Sequence, residues 1–305
     1  MRRQLWMFAF LPALLTAVVA SAQQPNPPRP EGTQTPPAGV GWLDRWRLPV
    51  LSFGVLERDA LNRQYYKVVG TGMVFLVDPA TAYIVTAKHV FFDLDKTWHP
   101  SEIRIRWGWQ DQQSVYDQHG VVIQLRDTSG NDLWTALKDG SDIAAIRAPA
   151  PTITGQPAAP LDIVAKPDEV FDGASVVVLG YPGIVGNEYL VRAIARGGIV
   201  AWLDPNGPLD NPFLIDANIY PGNSGGPVIK VPSGLTREGG FAMGGRAALL
   251  GIVSKAPGQF QEMELRVPGV LVPLKLRQQI PLGGTGVVEP VSKVTRLLDS
   301  LRSKR

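Results

Sequence analysis

The stretch Pro221-Gly222-Asn223-Ser224-Gly225-Gly226-Pro227 isolates one hydroxyl among residues that bend the backbone. Four of its seven residues are glycine or asparagine, which accept positive φ, and a proline fixes φ at each end. A serine held in such a turn has an unshielded hydroxyl, and the neighbouring amides can face a ligand. An acyl-transfer nucleophile with an oxyanion hole requires this geometry, although the same residue types also form ordinary surface turns.

Residues 222–226 also fit G-x-S-x-G, the nucleophile elbow of α/β-hydrolases, in which the catalytic histidine follows the serine. The chain has three histidines, and all of them precede Ser224: His89, His99 and His119. The helix of an elbow is not expected either, because residues 227–231 begin with proline and are rich in β-branched side chains. Any histidine partner therefore comes from upstream, in the order His, Asp, Ser or Asp, His, Ser.

The composition favours a turn-rich, all-β protein. Glycine and proline make up 59 of the 305 residues, and only 19% of the residues are charged. The absence of cysteine excludes disulfides, thiolate chemistry and cysteine-based zinc sites. No histidine stands at a recognised metal-ligand spacing, so we expect no metal and no cofactor. Residues 23–288 carry 23 basic against 25 acidic residues, which argues against a nucleic-acid partner.

The first residues predict an export signal. Two arginines are followed by an apolar run over residues 5–20 and then by the small residues Ala20-Ser21-Ala22, which suit cleavage. The apolar run is short for a bilayer and contains a proline. We therefore expect residues 1–22 to be a cleaved signal peptide, with no stable membrane insertion afterwards and a periplasmic or extracellular location.

The rest of the chain divides into a linker, two β-rich halves and a C-terminal helix. Residues 23–46 are rich in proline and predict an extended linker. A second proline-rich stretch, 149–160, separates strand-like runs into halves over 47–156 and 157–288. Residues 289–305 have a proline in the first turn and apolar residues at helical spacing, which predicts a helix with a basic tail.

Two residues of the first half are candidates to act with the serine. His89 follows a strand-like run, and strand ends often carry catalytic groups. Asp142 opens an apolar strand, where a partly buried carboxylate needs a firm donor such as an imidazole N–H. Asp139 competes with it but lies in a glycine turn, where an exposed aspartate is ordinary. We interpret the other two histidines, which lie among turn residues, as structural.

Five segments, in order along the chain, carry a resemblance to one family. They are Gly70-Thr71-Gly72, Thr86-Ala87-Lys88-His89-Val90, Asp142-Ile143-Ala144, the serine turn 221–227 and Gly251-Ile252-Val253-Ser254. Together they resemble the trypsin-like serine peptidases, and more closely the bacterial HtrA-like branch. The resemblance covers about residues 48–276, and the combination is specific where each motif alone is not. No segment resembles the PDZ domain that many HtrA-like proteins carry.

The resemblance implies an all-β, chymotrypsin-like fold of two packed six-stranded antiparallel β-barrels with a C-terminal α-helix. The barrels would span 47–156 and 157–288, with the site in the cleft between them. His89 and Asp142 would come from the first barrel and Ser224 from the second, with the amides of Gly222 and Ser224 as the oxyanion hole. The implied substrate pocket has a floor and four wall residues: Asn218, Ser254, Lys255, Ala256 and Gly269.

These features predict an exported serine endopeptidase that cuts polypeptides through a His-Asp-Ser triad and an acyl-enzyme intermediate. The neutral floor at Asn218 argues against a demand for lysine or arginine in the substrate. One alternative is a catalytically silent, protease-like binding module. Degenerate scaffolds usually lose a triad member, whereas this chain keeps all three. Another alternative is an esterase, which shares the chemistry and differs only in the shape of its cleft.

Overall fold

The computed structural model describes residues 41–78, 81–110, 116–148, 159, 161–184, 191–256, 258–265, 274–281 and 284–303. Of residues 109–110, 116–119, 258–265 and 274–281 only the backbone is described. These residues form two α-helices, α1 (Trp42–Arg47) and α2 (Val291–Arg302), and strands that make up most of the remaining regular structure. The predicted signal peptide, 1–22, lies outside the described residues.

The first half folds into one seven-stranded antiparallel sheet. Its strands are β1 (Val50–Arg58), β2 (Gln64–Asp78), β3 (Thr81–Thr86), β4 (Glu102–Gln110), β5 (Tyr116–Gln124), β6 (Trp134–Ala136) and β7 (Ala144–Arg147). They lie in the order β5-β4-β1-β2-β3-β7-β6. The sheet curls around a core that includes Leu51, Phe53, Ile84 and Phe91, all of which are fully buried.

Within the described residues the two edges of this sheet are joined by the short hairpin that links β5 to β6, in which Arg126 pairs with Asp132, and not by a ladder between the two strands. Leu133 N–H donates to the carbonyl of Leu125 (2.8 Å), just before β6 and just after β5. Strand β6 has only three residues and pairs with β7, so it offers little edge for a second ladder. Within the described residues the first half is therefore a curled seven-stranded sheet, where the sequence predicted a closed six-stranded barrel.

The second half contains the predicted closed six-stranded barrel. Its strands are β8 (Ser175–Gly180), β9 (Ile194–Trp202), β10 (Phe213–Asp216), β11 (Pro227–Lys230), β14 (Ala248–Lys255) and β17 (Thr285–Pro290). The barrel closes in the order β10-β17-β14-β11-β8-β9. Two hairpins extend from it: β12 (Gly234–Leu235) with β13 (Phe241–Ala242), and β15 (Gly258–Leu265) with β16 (Leu274–Pro281). Its interior is filled by apolar side chains such as Val178, Val200, Phe213 and Val228.

A third apolar core joins the two halves. The middle of β2 is buried on both faces, because Val74 points into the curled sheet while Met73 and Phe75 point toward the second half. From the second half, Tyr181 and Ile252 enter the same core. The two halves therefore share buried surface and hold the cleft between them in place.

Helix α2 completes this third core. Its apolar residues recur at helical spacing and are buried in the same cluster: Val291, Val294, Leu297, Leu298 and Leu301. The predicted C-terminal helix is confirmed.

At the other end, α1 overlaps the last residues of the predicted linker, 23–46, and the side chain of Trp46 is buried against the same core. In the part of the chain that the structure describes, no helix has both the length and the apolar character needed to cross a bilayer.

Candidate active site

Strand pairing brings His89 and Asp142 together. Strand β3 pairs with β7, with Thr86 opposite Ala144. Just past the end of β3 the chain forms a single 3-10 turn, Lys88–Val90, that carries His89. Asp142 lies just before β7, and its carbonyl accepts the Lys88 N–H (3.2 Å). The pairing thus continues beyond both strands and leaves the aspartate beside the histidine.

The carboxylate of Asp142 accepts three hydrogen bonds. The His89 ring Nδ1 lies 2.8 Å from Oδ2, and the His89 backbone N–H donates to Oδ1 (3.0 Å). The hydroxyl of Ser254 donates to Oδ2 (2.7 Å). Because an ionised carboxylate only accepts, the proton of the neutral imidazole must be on Nδ1. Nε2 is then the free, basic nitrogen, which is the tautomer that a general base needs.

The same contacts keep Asp142 charged. Burial raises the pKa of the Asp142 carboxyl, but the hydrogen bonds from His89 and Ser254 and the charge of His89 outweigh burial. The pKa of Asp142 therefore lies below its ordinary value. At neutral pH the group remains an anion that can stabilise a protonated imidazole.

The turn 221–227 connects β10 to β11 and presents two unused amides. Gly222 has φ +96°, and the carbonyl of Pro221 accepts the Gly183 N–H (2.8 Å). Because the carbonyl and the N–H of one trans peptide point in opposite directions, this bond turns the Gly222 N–H toward the other side. Within the described residues, neither the Gly222 N–H nor the Ser224 N–H donates to a protein acceptor. These are the two amides predicted to form the oxyanion hole.

Thr71 of β2 holds the serine turn from the opposite half. Its hydroxyl donates to the carbonyl of Gly222 (2.7 Å), and its backbone N–H donates to the carbonyl of Ser224 (2.7 Å). The same hydroxyl accepts the Tyr181 N–H (3.0 Å), and Thr71 is fully buried. In the sequence, Thr71 stands out only as part of the Gly70-Thr71-Gly72 motif, which indicates no role for its side chain. That motif was the available signal, but the partner is 151 residues away.

Gly225 lets the serine turn approach the first half closely. Its φ is +84°, and a Cβ there would collide with the Thr71 carbonyl and the Thr86 hydroxyl. Its N–H donates to the carbonyl of Val253 (2.6 Å) in β14. Only glycine fits this position, since it has no Cβ and accepts positive φ. The close approach places Ser224 on the side of the cleft that carries His89.

His89 and Ser224 line one cavity of about 420 Å³ between the two halves. Within the described residues the Ser224 hydroxyl is not hydrogen-bonded to His89. In free enzymes this bond is often long and shortens only when substrate binds. The structure therefore brings the histidine, the aspartate and the serine to one cleft, with the His89–Asp142 bond already formed.

The residues predicted for the substrate pocket have different positions. Lys255 and Ala256 line the cavity with Gly222 and Tyr220. Ser254 is buried, and its hydroxyl binds Asp142, so in the described structure it supports the acid and is not part of the cavity wall. Asn218 is exposed and is not among the described residues that line the cavity. Gly269 lies outside the described residues.

The remaining sequence candidates lie away from the cavity. The ring of His99 bonds Asp132 (2.9 Å) and packs edge-on against Phe92, which agrees with a structural role. The side chain of His119 lies outside the described residues. Asp139 accepts the backbone N–H and the hydroxyl of Ser141 and pairs with Arg296. These contacts at an exposed position account for Asp139 without a bond to His89.

A curled sheet and a closed barrel, with a histidine and a serine in the cleft between them, are typical of the chymotrypsin-like class. The family of the trypsin-like peptidase domain matches residues 70–234, over half of the chain, and the chain belongs to this family.

Curated relatives agree with that assignment. The chain is 28% identical over 182 residues to a protein named serine protease HtrA-like from Staphylococcus haemolyticus (strain JCSC1435), covering 56% of this chain and 24% of that protein. It is 26% identical over 172 residues to a protein of the same name from Staphylococcus aureus (strain USA300), covering 53% and 18%. The chain therefore spans a quarter or less of the length of these relatives. The similarities support a hydrolase of the serine endopeptidase class.

Proposed function

We propose that this protein is an exported serine endopeptidase with His89, Asp142 and Ser224 as its triad. The observation that carries the proposal is the bond between Asp142 and the His89 Nδ1 (2.8 Å), next to a cavity that Ser224 also lines. Family membership and the names of the relatives support the peptidase class. Export rests on the sequence of residues 1–22 alone.

In the proposed reaction the Nε2 of His89 accepts the proton of the Ser224 hydroxyl while Oγ attacks the carbonyl of a peptide bond. Asp142 holds the imidazole in the Nδ1–H tautomer and stabilises the imidazolium. The N–H groups of Gly222 and Ser224 hold the oxyanion, an interaction worth about 3 to 4 kcal/mol per donor in comparable enzymes.

The attack forms a tetrahedral intermediate, which then collapses. His89 returns the proton to the leaving amine, and the acyl group stays on Ser224. A water molecule, deprotonated by His89, then attacks the ester carbonyl, and the N–H groups of Gly222 and Ser224 hold the second oxyanion. Its collapse breaks the bond to Ser224 Oγ, which takes the proton back from His89, and releases the second product. The proposed substrates are polypeptides, which the peptidase family and the names of the relatives support. Lys255 and Ala256 line the cavity in which they would bind.

Hydrolysis of an unstructured protein tests the proposal. The wild-type chain should cleave casein, and Ser224→Ala should abolish cleavage while the circular dichroism spectrum and the melting temperature stay unchanged. Ser129→Ala is a matched control, since Ser129 lies in an exposed turn outside the cavity. Cleavage by Ser224→Ala at the wild-type rate would refute the assigned nucleophile.

The silent binding module makes a different prediction in the same experiment. It fits the lack of a hydrogen bond between the Ser224 hydroxyl and His89 in the described structure. In that case wild type and Ser224→Ala would both bind casein peptides equally well, and neither would cleave them. Peptide binding without turnover would therefore favour the module over the peptidase.

A further inference from the structure

Glu289 is a buried carboxylate that the proposed reaction does not use. It stands near the end of β17, just before α2, and only 5% of the residue is exposed. Its Oε1 accepts the backbone N–H of Asp142 (2.9 Å). Strand β17 belongs to the second half, so this bond crosses the interface and ends on the aspartate that orients His89.

Lys293 neutralises this carboxylate from the first turn of α2. Its Nζ donates to Oε2 of Glu289 (2.8 Å), and the side chains of the lysine and the glutamate are 11% and 6% exposed. A buried ion pair costs desolvation on both partners, and removal of one partner leaves an uncompensated charge. Glu289 and Lys293 thus form a buried ion pair that is bonded to the backbone of Asp142, the residue that binds His89.

The bond from Asp142 to Glu289 completes the fixation of the aspartate. The Asp142 carbonyl is held by Lys88, and its carboxylate by His89 and Ser254. Its backbone N–H is the one remaining polar group, and Glu289 accepts it. Three segments from both halves therefore hold this one residue: the turn with Lys88 and His89, the strand with Ser254, and the end of β17 with Glu289. Without Glu289 the N–H would have to find another acceptor in a part-buried position.

We propose that Glu289 and Lys293 are positioning residues for the reaction, acting through Asp142. Glu289 fixes the backbone of Asp142. Lys293 cancels the negative charge of Glu289, which would otherwise favour a protonated His89 ring. The inference rests on the proposed function for its role in catalysis. The effect on the imidazole, however, is a property of the folded protein and can be measured without turnover.

The two charges act on the imidazole with opposite signs. In Glu289→Gln the lysine is left uncompensated, and a positive charge behind Asp142 disfavours a second proton on the His89 ring. In Lys293→Met the glutamate is left uncompensated, and its negative charge favours that proton. The double variant removes both charges and should return the protonation of the His89 ring to that of wild type. Other charged groups around the His89 side of the cleft are the same in all variants: Asp142, Asp93, Lys67, Lys88, Lys96 and Lys255.

The test is an NMR titration of the His89 ring, whose signals are assigned by their loss in His89→Ala. We expect the midpoint to move to lower pH in Glu289→Gln and to higher pH in Lys293→Met, each by roughly half a pH unit. The double variant should lie within about a fifth of a pH unit of wild type. The acidic limb of the rate of fluorophosphonate labelling at Ser224 should move in the same directions.

Arg296→Gln is the matched control, because it removes one positive charge one turn further along α2. Arg296 pairs with Asp139 and Asp210 at the surface, and its side chain is 49% exposed. Salt and water screen such a charge, so the midpoint of the His89 titration in Arg296→Gln should equal that of wild type.

The outcomes separate the inference from the proposed function. If both single variants lower the melting temperature but leave the midpoint in place, the pair is only structural and the inference is wrong. If Lys293→Met fails to fold, Glu289→Gln and the double variant still decide the sign of the shift. If the variants show the expected midpoint shifts but wild-type protein never reacts with the fluorophosphonate, the peptidase is refuted and the charge coupling stands.

Discussion

Asp142 is the proposed acid of the triad, and its carboxylate binds His89 and Ser254. In Asp142→Asn the side chain keeps its shape, but its amide can donate to the ring, which favours the wrong imidazole tautomer. We expect kcat for peptide hydrolysis to fall by about four orders of magnitude, as in the worked triad template. Asp139→Asn is the matched control, because Asp139 is exposed and pairs with Arg296. A loss of less than tenfold in Asp142→Asn would contradict the role of the acid.

The depressed pKa of Asp142 also makes stability depend on pH. An unfolded aspartate titrates near about 3.9 and the folded Asp142 below that value, so the anion stabilises the fold above this range. That contribution is lost as pH falls through the folded pKa. The free energy of unfolding in urea should therefore differ most between wild type and Asp142→Asn near pH 6, and the difference should shrink as the pH falls below about 4. A difference that stays constant over this range would show that the ionised carboxylate contributes nothing.

At the residue scale, motifs predicted which residues meet but not the direction of each side chain. His89, Asp142 and Ser224 could be chosen because their neighbours form recognisable strand ends and turns. Ser254 was expected in a pocket wall, yet its hydroxyl binds Asp142, 112 residues away in sequence. Glu289 was treated as the start of a helix and not as a partner of the acid. Such contacts depend on how the two halves pack, which no local pattern encodes.

At the scale of the elements, the serine turn lies against strand β2 with no space for a side chain at Gly225. Gly225→Ala combines a strained positive φ with a collision against Thr71 and Thr86. Gly130→Ala has a similar φ of +85° but nothing within 4 Å of the added Cβ. Gly130→Ala should cost about 1 to 2 kcal/mol of unfolding free energy from φ alone. Gly225→Ala should cost more than twice as much and abolish labelling of Ser224; equal costs in urea unfolding would contradict the close approach.

The strands themselves were largely predictable, but their closure was not. Apolar and β-branched residues fill Gln64–Asp78 and Ala248–Lys255, so the composition of these segments indicates strands. The number of strands in the first sheet depends on β6, whose three residues are too few for a clear alternation.

At the scale of the whole molecule, the shared core makes the two halves and α2 one unit. Leu298 of α2 is fully buried in that core. Leu298→Ala should cost about 2 to 5 kcal/mol of unfolding free energy, whereas Leu235→Ala, at a half-exposed position on β12, should change it by less than about 0.5 kcal/mol. Tryptophan fluorescence and far-ultraviolet circular dichroism should report one coincident transition in urea. Two separate transitions would mean that the halves fold independently.

The arrangement of the cleft as a whole is tested by covalent labelling of the intact protein. A fluorophosphonate reacts with a serine only where a base and an oxyanion hole act together. After incubation at pH 8, mass spectrometry of the digested wild-type protein should find one adduct, on Ser224, and His89→Ala should lose it. No adduct on the folded wild-type protein, or an adduct on a different serine, would contradict the account.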